Sequence, residues 1–92
     1  MRERWFGATG RRVPEIAVEG DPAVPVGEAL VLDSVDDEAA LREAHDAGQP
    51  VVVRVVDEEG VRRALARPEV ASVLVPPDRN ELLELDLTGQ YD

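Results

Sequence analysis

The sequence predicts an α/β fold: a small β-α-β-α-β domain with a mainly parallel sheet. Three observations carry this. The runs ALVLD (29–33), VVVRVV (51–56) and ASVLV (71–75) are near-continuously apolar, as strands covered on both faces are. Between them lie two stretches with helical spacing and clear start and stop signals. Each connection is also a dozen residues or more, enough for a crossover helix that returns the chain parallel to its starting strand.

In chain order, residues 1–12 form a charged, glycine-punctuated arm without a period, and residues 13–92 form the single α/β domain. VPEIAVE (13–19) alternates weakly and offers an added strand; GDPAVPVG (20–27) is a turn or loop by its prolines and glycines. If that first strand enters the sheet with one antiparallel pair, the same pattern makes a ferredoxin-like α+β domain instead. After the run at 29–33, Ser34 is placed to cap a helix over 35–47, with Asp37 as the capping-box carboxylate. Ala40, Leu41, Ala44 and Ala47 make its apolar stripe. Gly48 closes it and Pro50 prevents its continuation.

VVVRVV is the second strand. Asp57 or Glu58 then caps a second helix with Val61, Ala64 and Leu65 on its inner side. Arg62, Arg63 and Arg67 crowd its C-terminal half, where the helix dipole favours cations. Pro68 ends it, and Pro76-Pro77 stop the third strand. DRNELLELDL (78–87) reads as a helical turn followed by a short strand.

Composition bounds the stability and the chemistry. A chain of 92 residues buries only roughly 60–65% of its unfolded surface, so help from oligomerisation is expected. There is no cysteine, hence no disulfide and no thiolate metal site, and the single His45 excludes a zinc site built on two histidines. Twenty acids against ten cations leave −10, and every cation is arginine. Such an excess, with Ala, Val and Leu supplying the aliphatic bulk, points to a halophilic or high-GC source. At high salt, screening makes this self-repulsion tolerable, so stability is expected to rise as salt is added. Net acidity argues against duplex nucleic acid as a partner. No apolar run suits a signal peptide or a membrane span, so a soluble, cytoplasmic protein is expected.

Two places could carry function. In an open parallel sheet, ligands bind beyond the carboxyl ends of the strands. Asp33, Asp57 and Asp78 leave those ends, and converging carboxylates suit Mg²⁺ with a phosphoryl substrate. Helix capping explains acids at these positions equally well and is the preferred reading. A Mg-dependent phosphohydrolase or phosphotransferase is therefore the alternative, and no cofactor is expected under the main reading. His45 has no serine or cysteine at a suggestive spacing. GATGRR (7–12) lacks the strand and spacing of a phosphate loop.

The arm is the second place. Trp5 and Phe6 are the only Trp and Phe, and Arg4, Arg11 and Arg12 lie beside them. Residues 1–12 hold four arginines against one glutamate, +3, which leaves −13 on residues 13–92. The pair folds back over its own sheet, docks on an acidic neighbour, where Trp and Arg are typical anchors, or, the least favoured reading, stacks on a nucleic-acid base while the guanidinium groups meet phosphate. The expectation is a small acidic binding or interaction protein, a homo-oligomer or accessory subunit, rather than an enzyme. Loss of residues 1–12 is expected to weaken assembly and leave the body folded.

Arg54 interrupts the strongest strand. It shares a face with Val52 and Val56, so a fully sealed sheet would bury its charge at a cost of several kcal/mol or more. The expected resolution is an open face that a second subunit or the arm closes; the alternative is an ion pair with an acid of a neighbouring strand or subunit, Glu15 and Glu84 being the candidates.

Overall fold

A computed structural model describes residues 3–84 of the chain. Its centre is a sheet of four parallel strands: β3 (Ile16–Val18), β4 (Leu30–Leu32), β5 (Val51–Arg54) and β6 (Val70–Val75), in the spatial order β3-β6-β5-β4. All three pairings are parallel, so the β-α-β-α-β reading holds and the ferredoxin-like alternative does not. An antiparallel hairpin precedes the sheet, built from β1 (Glu3–Trp5) and β2 (Arg12–Pro14). The weak strand expected over 13–19 is split at Glu15 between β2 and β3.

The two helices are α1 (Glu38–Asp46) and α2 (Glu58–Leu65). The chain steps β4 to β5 to β6 through neighbouring positions, always in one direction. Crossovers of one hand must then lie on one face, and both helices do. Leu41 and Ala44 of α1, with Val61, Ala64 and Leu65 of α2, pack on Val51, Val53, Val70, Val73 and Val75. The β3-to-β4 connection runs the opposite way across the whole sheet, so the same handedness sends it over the opposite face.

That opposite face has no helix. It is covered by the hairpin and the crossing loop, through Phe6, Val13 and Val24 packed on Ala17, Val52, Ala71 and Leu74. The aromatic arm thus closes the second face in cis, as one of the sequence readings anticipated. A register shift between β5 and β6 lets Val70 and Val73 both face the helices, while Ala71 turns to the hairpin. The buried Ser72 hydroxyl donates to the Pro14 carbonyl at 2.8 Å and ties the sheet to that cover.

Local signals explain the helix ends. The N-cap of α1 is Asp37, whose side chain accepts from the Ala40 amide at 3.0 Å, and the helix starts at Glu38 rather than near 35. Ser34 instead accepts from the Asp36 amide in a turn, which leaves Val35 free to bury. Of the two caps offered for α2, Asp57 is the one used, accepting from Gly60 at 2.7 Å, and Glu58 is the first helical residue. Gly48 follows α1 at φ +74, the left-handed conformation that ends a helix. Past β6, residues Pro77–Glu84 form 3-10 turns broken at Arg79, with Leu82 buried under the helix-covered face. The strand anticipated toward residue 87 lies outside the described residues. No described helix is long and apolar enough to cross a membrane.

Candidate functional site

The carboxyl ends of the four strands open into a cleft of about 560 Å³. Its walls are apolar: Val35, Val53, Val55, Leu74, Val75 and Pro76, with Ala64 and Gly60 of α2. Val56 stands at the rim with most of its surface exposed. The size lies within the range of small-molecule and side-chain pockets, and the position is where an open parallel sheet binds ligands.

The origin of the opening is topological. After β3 the chain leaves over the hairpin-covered face, whereas after β4 and β5 it leaves over the helix-covered face. The segment after β6 also turns toward the helices, placing Leu82 there. The chain beyond β3 and the chain beyond β6 therefore part to opposite faces, although the two strands stay paired to their last residues. The Glu19 amide donates to the Val75 carbonyl at 2.9 Å and the Val55 amide to the Leu74 carbonyl at 3.0 Å, which fixes the two sides of the mouth.

Charged groups ring the cleft. Arg54 pairs with Glu19 across the tip of β6, Nε to Oε1 2.6 Å, with 50% and 41% of the two side chains exposed. Arg54 thus continues the Val52 face past the end of its cover, where water still solvates the guanidinium. This described partner, Glu19, is not one of the acids named from sequence. Glu15 lies toward the other end of β3 and takes Arg4, and nothing is described of the Glu84 side chain. Glu19 was overlooked because β6 intervenes between β3 and β5; only the strand order brings it within reach.

Of the three strand-end acids, Asp33 and Asp57 line the cleft and Asp78 does not. The Asp57 carboxylate accepts the Gly60 amide as a helix cap, the role that helix N-termini ordinarily give to aspartate. Among the described residues, no three His, Cys, Asp or Glu side chains form a group able to hold a metal. His45 sits exposed in the last turn of α1. Beyond the rim, Arg79 donates to the Val56 carbonyl at 2.9 Å and to Glu81 at 2.6 Å. That hydrogen bond holds the Glu81 carboxyl below its ordinary value.

The arm residues divide by direction. Phe6 is fully buried. Arg4 turns inward: its guanidinium donates to Glu15 at 2.9 Å and to the carbonyls of Leu65, Val70 and Arg67 at 2.7, 3.1 and 3.3 Å. Arginine is suited to this because its planar fork satisfies several carbonyls at a helix C-terminus. Arg11 reaches Glu28 at 3.4 Å on the surface. Trp5 is 62% exposed, with the Arg12 guanidinium 5.4 Å from its ring centroid. Trp5 borders a shallow groove with Leu65, Ala66, Pro68 and Val70, at the amino end of β6. No protein-family model, curated protein or solved structure matches this chain.

Proposed function

We propose that this is a small binding protein whose site is the cleft at the carboxyl ends of the four strands. It works by non-covalent contact, as a homo-oligomer or as an accessory subunit, in a salt-rich cytoplasm. The observation that carries this reading is the chemistry of the cleft itself. Apolar walls are combined with a ring of Glu19, Arg54, Asp33 and Asp36, a combination that orients a ligand having both an apolar part and a charge. Asp57, one of the two strand-end acids that line the cleft, already serves a helix. The net charge of −10 favours protein over nucleic acid as partner.

Indole, a neutral ring, is a suitable probe. Titrated into the protein and followed by NMR of the valine methyl groups, it is expected to shift Val53, Val55, Val56 and Val75. The Ser34→Trp variant fills the lip from an exposed position and is expected to abolish those shifts. Methyl signals that stay in place at saturating indole would overturn the proposal.

A further inference from the structure

The Trp5–Arg12 patch and the cleft lie at opposite ends of the same parallel sheet. Trp5 sits beside Val70, where β6 begins, and the cleft opens at Val75, where it ends. Six strand residues at about 3.3 Å each hold them apart, so no chain can place its own Trp5 in its own cleft. The two surfaces nevertheless complement each other.

The first surface offers an exposed indole with a guanidinium over it. Arg12 makes no ion pair among the described residues, although most of the described arginines do. The second surface offers apolar walls wide enough for an indole, and its lip carries Asp33 and Asp36. Neither carboxylate makes an ion pair among the described residues. An unpaired cation beside an exposed aromatic thus matches unpaired acids beside an apolar cleft. Aromatic and arginine side chains are also the residues that anchor protein interfaces.

We infer that the cleft receives the Trp5–Arg12 pair of a second copy of this chain, with the indole between Val55, Val56 and Pro76 and the guanidinium at Asp33 and Asp36. This rests on the cleft's being a binding site and names its occupant. Because donor and acceptor surfaces differ, the contact is heterologous. Each added copy presents a fresh Trp5 at one end and a fresh cleft at the other, so assembly proceeds head to tail into a ring or a chain.

The test is light scattering on full-length protein across a concentration series. The wild type is expected to exceed the mass of two chains as concentration rises. Trp5→Ala removes the donor surface and Ser34→Trp blocks the acceptor. Each is expected to weaken association about thirtyfold or more, the loss typical of a central anchor, with the thermal midpoint little changed. Mixed in equal amounts, the two variants keep one good surface each and are expected to stop at two chains. Arg12→Glu is expected to dissociate the assembly, and pairing it with Asp36→Arg to restore it.

A wild type that keeps the mass of one chain throughout overturns the inference, as does a variant that assembles like the wild type or a mixture that stays at one chain. Should the wild type be monomeric while indole still shifts the cleft methyls, the occupant is wrong and the binding site stands. Absence of both effects removes the site as well.

Discussion

The two faces of this sheet are covered by different means. On one, α1 and α2 lay regular apolar stripes against Val51, Val53, Val73 and Val75. On the other, a hairpin and a loop do the same work with one aromatic ring, two valines and a set of polar clasps. The helices are self-announcing because their period and their caps are local properties of the chain. The hairpin cover depends on side chains that donate to backbone carbonyls more than 50 residues away, Arg4 to Leu65 and Ser72 to Pro14. A small domain can therefore seal a parallel sheet without a helix on each side, provided the irregular cover satisfies its own polar groups.

This comparison is broken most severely by deleting residues 1–12. If the arm is a layer of the domain, the deletion uncovers Val52, Ala71 and Leu74 and removes Arg4 from its carbonyls. The loss of Phe6 alone costs about 3–5 kcal/mol against a margin of roughly 5–10, so the fragment is expected to lose cooperative thermal unfolding by circular dichroism. A fragment with an unchanged midpoint would show instead that the arm is an appendage, as the sequence suggested.

Arg4→Met probes the clasp while keeping apolar bulk. It takes hydrogen bonds from Glu15 and from three backbone carbonyls between the end of α2 and the start of β6, and about 2–3 kcal/mol of stability is expected to go with them in urea unfolding. On the helix-covered side, Asp57→Ala should cost about 1 kcal/mol as a lost cap, whereas Asp33→Ala should stay within about 0.5 kcal/mol. Both differences are expected to be the same in Mg²⁺ and in chelator; a cost that appears only with Mg²⁺ would revive the phosphoryl-transfer reading. Arg54→Ala removes a pair open to water and is expected to cost no more than about 1 kcal/mol in the same assay.

How much was legible follows the same division. The parallel sheet, α2 with its cap narrowed to Asp57 or Glu58, and the place of a cleft at the strand ends were readable, because each rests on a local pattern or on a general rule of open sheets. The start of α1 was misplaced because SVDD offers two competing caps, and burial of Val35 decides in favour of Asp37. The placing of β3 beside β6 was not readable, since nothing local distinguishes an edge beside β4 from one beside β6. That strand order brings Glu19 to Arg54 and parts the loops into a cleft, so the partner of Arg54 and the shape of the cleft stayed hidden together. The roles of Trp5 and Phe6 were a single question in the sequence and have two answers in the structure.

Those two adjacent aromatics supply the most direct test. If Phe6 belongs to the core and Trp5 to the outer surface, denaturant unfolding should separate Phe6→Ala from Trp5→Ala. The first is expected to lose about 3 kcal/mol or more, and the second to remain within about 1 kcal/mol, the worth of an exposed cation–π contact. Equal losses, or a larger loss for Trp5→Ala, would contradict the account of how the second face is closed.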